Sequence, residues 1–186
     1  MIGKIIKYMK SLTRIVILKL RLGRRIKFKF SNIKSLYIGK NVRININKGC
    51  ELCLGENVYI DDFCRLECVK GNLYIGNETF INTNCNIISM TGIHIGDDCL
   101  LGSNIGIYDH DHRYDIKGIP ITKQGLTMEG IKIEDNVWIG SNCTITKGVT
   151  IKSAIIIAAN SVVTKKLEVL GVYGGVPSKL IKKLGT

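Results

Sequence analysis

The sequence predicts a parallel β-solenoid built from six-residue units, and three observations carry that prediction. From residue 133 the chain reads in consecutive hexads that open on an aliphatic residue: Ile133, Ile139, Ile145, Ile151, Ile157 and Val163. The same unit recurs upstream in pairs, starting at Leu54 and Ile60, at Ile75 and Ile81, and at Ile95 and Leu101. Position five of these units holds small or aliphatic residues, among them Val58, Cys64, Thr79, Cys85, Cys99, Ile105, Val137, Cys143, Val149 and Ser161. Two inward positions repeating in register describe a prism with three short flat strands per coil. The Gly and Asn between them suit the corners, where a positive φ costs them little. With 186 residues, 45% hydrophobic, the chain is expected to form one domain: a basic segment over 1–35, the solenoid over 36–170 with an insertion at 108–130, and a tail over 171–186 ending in a short helix.

The first element is basic and helical. Residues 1 to 50 hold fourteen Lys or Arg and no acid, so the net charge of +12 belongs to this end; the remainder of the chain sums to −2. From Ile2 to Leu22 apolar residues alternate with Lys4, Lys7, Lys10, Arg14, Lys19 and Arg21 at roughly helical spacing. Two readings stay open: a helix lying on an anionic membrane, or a cap whose apolar stripe packs on its own domain or on a neighbouring subunit. No apolar run is long enough to cross a membrane, and the short N-terminal one lacks the cleavage site of an export signal. The expected location is therefore cytoplasmic, peripheral to the inner membrane face under the first reading. The seven Cys are then reduced thiols, and Cys64, Cys85, Cys99 and Cys143 are core fillers by their hexad position. The cations lack the RNA-reading motif or aromatic platform of a nucleic-acid binder.

The hexads pause at Ile107 and resume near Ile131, which makes Tyr108–Gly130 an excursion from a regular repeat. Insertions of this kind carry function in repeat proteins. This one reads Tyr108-Asp109-His110-Asp111-His112-Arg113-Tyr114-Asp115 and holds two of the three histidines. The third, His94, alternates with Ile93 and Ile95 and is expected to point outward as a bystander.

Over about residues 38 to 180 the hexads resemble the left-handed β-helix acyltransferases of the hexapeptide-repeat family. The runs Asn136-Val137-Trp138-Ile139-Gly140-Ser141, Ala158-Ala159-Asn160-Ser161-Val162-Val163-Thr164-Lys165 and Gly174-Gly175-Val176-Pro177-Ser178-Lys179 are similar to those of coenzyme-A-using O-acetyltransferases. Those enzymes modify galactosides, maltose, streptogramin antibiotics and bacterial surface polysaccharides. The resemblance implies a left-handed coil, acetyl-CoA as donor with no metal required, a carbohydrate acceptor, and a homotrimer with its sites between subunits. It places the catalytic base on His112, with His110 second, since imidazole suits removal of a hydroxyl proton near neutral pH. Asp109, Asp111 or Asp115 would orient the ring. Asn82, Asn84 and Asp111 are the implied acceptor contacts. Trp138, Gly140, Ser141, Ala159, Thr164, Lys165 and Lys179 are the implied coenzyme contacts, Lys179 standing where the family more often has Arg. With the thiols assigned to the core, no acyl-enzyme is implied. The alternatives are a streptogramin-type acetyltransferase, a zinc hydrolyase using His94, His110 and His112, and a non-catalytic binding solenoid.

Overall fold

The computed structural model of the chain describes residues 2–28 and 35–185; side chains 2–5 and the stretch 29–34 lie outside the described residues, among them Ile2, Lys4 and Ile5 of the expected helical pattern. Three sheets form the walls of a prism. The first runs through Ile26–Phe28, Leu52–Leu54, Asn72–Ile75, Gly92–Ile95, Ile131–Ile133 and Thr150–Ile151. The second runs through Leu36–Ile38, Val58–Ile60, Phe80–Ile81, Leu100–Leu101, Trp138–Ile139, Ile156–Ile157, Gly171–Gly174 and Lys179–Lys183. The third runs through Arg43–Ile46, Arg65–Cys68, Asn86–Ser89, Gly106–Tyr108, Thr144–Ile145 and Val162–Val163. Within the coils neighbouring strands are parallel and in register, so position-one residues stack in rows: Ile38, Ile60, Ile81, Leu101, Ile139 and Ile157 on the second wall are all within 1% of full burial. Each such side chain contributes roughly 1.5–3 kcal/mol of hydrophobic stabilisation. His94 points outward as expected and stacks on Tyr74 at 4.5 Å.

Two corners of the prism are made by left-handed residues. Asn41, Phe63, Asn84, Asn104, Asn142 and Asn160, with φ between +56° and +62°, form the corner between the second and third walls. There the amides form a ladder: Asn84 donates to Asn104 (2.8 Å), Asn104 to Asn142 (2.9 Å) and Asn142 to Asn160 (3.1 Å). The hexad glycines behave otherwise than expected. Gly102 and Gly140 are not at positive φ; a Cβ on Gly140 would lie 2.6 Å from the Ala159 amide nitrogen, so the next coil requires the missing side chain. The position-five thiols are buried and each reaches a corner carbonyl of the following coil: Cys64 to Asn82 (3.0 Å), Cys85 to Gly102 (3.1 Å), Cys99 to Glu134 (3.2 Å) and Cys143 to Ala158 (3.1 Å).

The expected N-terminal helix, α1, spans Ile2–Leu22. Ser11, Ile15, Leu18 and Leu22 are buried at helical spacing, and the last three continue the core of the first coil. Backbone N–H groups of each coil donate to carbonyls of the next, as Gly39 does to Ile60 and Asp61 to Ile81. Carbonyls of the first coil therefore face a coil that does not exist, and α1 and the turn after it supply the donors. Arg14 donates to Ile38 O (3.0 Å), Lys19 to Ile26 O (3.0 Å), Arg25 to Ile46 O (2.6 Å) and Arg21 to Ile44 O, while Ser11 Oγ accepts from the Ile38 amide. A bare sheet edge invites pairing with another chain, and these side chains close it. The capping reading of the basic segment thus holds for the inner side of the helix.

The tail departs from expectation. In place of a terminal helix, Lys179–Lys183 is a strand antiparallel to Gly171–Gly174. Gly171–Gly174 adds a rung to the second wall, and its open edge recruits the Lys-Leu-Ile-Lys-Lys segment. Edge pairing overrides the modest helical propensity of that run.

Candidate active site

The excursion is a β-hairpin standing at the corner between the third and first walls. After Gly106–Tyr108 the chain enters His110–His112, which pairs antiparallel with Leu126–Met128 in the register His110↔Met128, Asp111↔Thr127, His112↔Leu126. Strand alternation puts His110 and His112 on one side of the hairpin and Asp111 on the other. Asp111 forms an ion pair with Lys147 of the next coil, which holds that second side against the solenoid. The His112 side chain is exposed and makes no hydrogen bond among the described residues, whereas that of His110 is four-fifths buried. Beyond the histidines Arg113 pairs with Asp115 at 2.7 Å, and the Gln124 side chain bridges to the backbone of Ile116 and Ile119, giving the arm a fixed shape.

Asp109 anchors the hairpin. It is fully buried, and its carboxylate accepts from the amides of Met90 (2.7 Å), Thr91 (2.7 Å) and Gly92 (2.8 Å) and lies 3.3 Å from Ser89 Oγ. Its Oδ1 also lies 3.3 Å from His110 Nδ1. Of the three aspartates offered by the sequence as orienting groups, Asp109 is the one beside an imidazole. Its carbonyl accepts from the Glu129 amide, which ties the return strand to the same point. Tyr108 folds its ring back across Gly106, where a Cβ would meet the ring at 2.7 Å.

The other expected site residues fall into two groups. Asn82, Asn84, Gly140, Ser141 and Ala159 lie on the corner between the second and third walls, Asn84 within the amide ladder and Asn82 accepting from the Thr83 amide (2.8 Å). Ser141 Oγ accepts from the Ser103 amide at 3.2 Å. Lys179 joins this group, because it pairs with Gly174, whose missing Cβ would lie 3.2 Å from that of Ala158. Thr164 and Lys165 do not join it: they follow Val162–Val163 and are exposed at the far margin of the third wall, the margin that carries the histidine hairpin. The two margins are separated by the width of a four-residue strand, about 13 Å. Trp138 is half exposed on the outer side of the second wall, in register with Leu100 and Ile156.

Chemically this is a solvent-facing imidazole beside a second one held by a buried carboxylate, a suitable setting for a general base. The thiols are poorly placed for nucleophilic work, because six of the seven are buried in the core, where burial pushes Cys68 up to about 12 and Cys99 up to about 11. Among the described residues no three His, Cys, Asp or Glu converge as metal ligands, and His94 stands on the first wall, on a different strand from the hairpin. Sequence reasoning missed Lys147, whose only signal was a hexad interior, and missed how completely Asp109 is engaged.

Comparison with known proteins shows what this chain is similar to. The family described as the hexapeptide repeat of succinyl-transferase matches residues 73–109 and 130–165. WbbJ of Escherichia coli K12, named for lipopolysaccharide biosynthesis O-acetyl transfer, is 30% identical over 146 residues, covering 75% of this chain and 72% of its own. The galactoside O-acetyltransferase of the same organism is 28% identical, covering 87% and 77%. AntD, an N-acyltransferase from Bacillus cereus solved with dTDP-4-amino-4,6-dideoxyglucose and coenzyme A, superposes with a TM-score of 0.75 at 25% identity, covering 90% and 88%. Some curated relatives are longer: the chain spans 56% of a Mycobacterium tuberculosis acetyltransferase-named protein and 54% of one from Schizosaccharomyces pombe. The fold shared with these structures is the left-handed β-helix.

Proposed function

The chain belongs to the hexapeptide-repeat acetyltransferase family, and from that premise we propose that it transfers an acetyl group from acetyl-CoA to a sugar hydroxyl of a bacterial surface polysaccharide or its precursor. The observation that carries the reading is the two-histidine hairpin seated on buried Asp109. In this scheme the acceptor hydroxyl attacks the thioester carbonyl while His112 takes its proton. The tetrahedral oxyanion then collapses, the C–S bond breaks, and the departing thiolate recovers the proton as free coenzyme A. Transfer is direct, and no acyl-enzyme forms. The acceptor lies along the third wall between the Asn82 and Asn84 margin and the hairpin. Gly140, Ser141, Ala159 and Lys179 line the coenzyme arm, Lys179 meeting phosphate as a point charge. Thr164 and Lys165, at the other margin, serve a coenzyme only if a second subunit brings them to it.

We take the working unit to be a homotrimer with the site between subunits. What supports this is exposed apolar surface in two places: on the hairpin and its arm, where Tyr114 is 78% exposed and Ile121 and Met128 are about half exposed, and on the outer side of the second wall, where Leu100 and Trp138 are about half exposed. Sedimentation of an active monomer would contradict it. The complex of AntD with an amino sugar nucleotide favours a second reading, transfer to an amine on such a nucleotide.

The test is thiol release from acetyl-CoA with isolated surface polysaccharide or with an amino sugar nucleotide as acceptor. His112→Ala should lower turnover by about 10² to 10⁴ fold, the usual contribution of a positioned base, with coenzyme affinity nearly unchanged. His110→Ala should do less. Retention of wild-type turnover by His112→Ala with loss in His110→Ala would move the base to the residue beside Asp109.

A further inference from the structure

Helix α1 carries two apolar sides, and only one of them has a partner among the described residues. Ser11, Ile15, Leu18 and Leu22 face the protein's own core. At 3.6 residues per turn, Ile6, Met9, Val16, Ile17 and Leu20 fall on the opposite side. All five are about half exposed or more, and Leu20 is 81% exposed. A helix that only closes the end of a solenoid needs one apolar stripe and a polar outer face. Here the outer face is itself apolar, and an apolar groove of about 260 Å³ between Leu12, Val16, Leu20 and Phe28 opens beside it.

The charge around this stripe has one sign. Lys10 and Arg24 are exposed and make no hydrogen bond or ion pair among the described residues, and the first fifty residues contain no carboxylate to neutralise them. A second copy docked through the same stripe would bring these cations together without counter-charge. An anionic surface would supply it. No helix among the described residues is long and apolar enough to cross a membrane, so the fit is to a surface and not to a span.

We propose that the outward side of α1 docks on an anionic lipid bilayer, with Ile17 and Leu20 entering the boundary between headgroups and acyl chains and with Lys10 and Arg24 facing lipid phosphate. The inner side stays on the solenoid, so the helix joins the lipid surface to the first coil without unfolding anything. Rungs repeat at about 4.8 Å, so the histidine hairpin, which leaves after the fourth coil, stands about 15 Å beyond the first coil and further from the lipid by the thickness of the helix. Docking of this kind depends on the helix alone and is independent of the acetyl acceptor.

The experiment is co-sedimentation of the full chain with vesicles of phosphatidylcholine alone and of phosphatidylcholine mixed with phosphatidylglycerol, at low and at high salt. We expect partitioning at least about tenfold stronger onto the phosphatidylglycerol vesicles, falling as salt screens the cations. Leu20→Glu and Ile17→Glu should abolish it, and Lys10→Glu should weaken it, all with unchanged melting temperature and sedimentation coefficient because these side chains are exposed. Equal partitioning onto both vesicle types, or none onto either, overturns the proposal. So does a wild-type protein that ignores vesicles while Leu20→Glu reduces its oligomeric state, since the occupant of the stripe is then a second copy.

Discussion

Replacing Asp109 with Ala should release the histidine hairpin while leaving the coils on either side intact. The carboxylate accepts from three backbone amides, those of Met90, Thr91 and Gly92, at 2.7 to 2.8 Å, in a fully buried position. A buried donor left without an acceptor costs about 1–3 kcal/mol, so three of them set a loss of roughly 3–9 kcal/mol if nothing relaxes. Water entering the vacated space would recover part of that, which makes about 3–5 kcal/mol the working figure. If the unit melts cooperatively, a chain of this size loses roughly 2–4 °C per kcal/mol, or about 6–20 °C in all. If the coils hold, the loss is confined to the hairpin, because contacts in a solenoid are between neighbours. Thermal melting followed by circular dichroism, together with hydrogen exchange at the amides of residues 90 to 92, separates the two. Turnover should fall in either case, since His110 loses its Nδ1 neighbour and the Asp109 carbonyl holds the return strand through Glu129. Asp109→Asn should fall between, keeping one acceptor oxygen while turning an NH₂ toward donors. A melting temperature within about 2 °C of wild type, with unchanged protection at Met90, Thr91 and Gly92, would refute this account of how the site is held.

Two further outcomes follow from the packing. Gly140→Ala should cost about 1–3 kcal/mol and lower the melting temperature by several degrees, because the new methyl would lie 2.6 Å from the Ala159 nitrogen and 2.9 Å from its Cα, backbone atoms that move only with the coil; an unchanged melting curve would show that the corner has slack. Iodoacetamide should modify Cys53 first, the one half-buried thiol of the seven, and leave the rest until denaturation, since the other six are buried away from the reagent. Activity should survive that treatment; rapid native loss of several thiols, counted by mass spectrometry, would contradict their assignment to the core.

The repeat was legible because its physics is local. A prism face needs an inward aliphatic every sixth residue, and rows such as Ile60, Ile81, Leu101, Ile139 and Ile157 declare it without reference to anything distant. The buried position-five cysteines, the outward His94 and the helix from Ile2 to Leu22 were readable for the same reason. What spacing could not convey was how separate segments meet. Lys147 finds Asp111 thirty-six residues away only because the next coil passes beneath the hairpin, and Asp109 reaches the 90–92 turn only because successive coils are in register. The tail became a strand through the open edge at Gly171–Gly174, and the arginines of α1 found their acceptors in carbonyls left over where the stack of coils ends. Hydropathy likewise cannot divide one helix between two neighbours: Leu18 and Leu20 are the same residue type two positions apart, and their opposite exposure comes from the solenoid occupying one side of the helix. Periodicity reports which residues share a face; which surface that face meets is a property of the assembled coils.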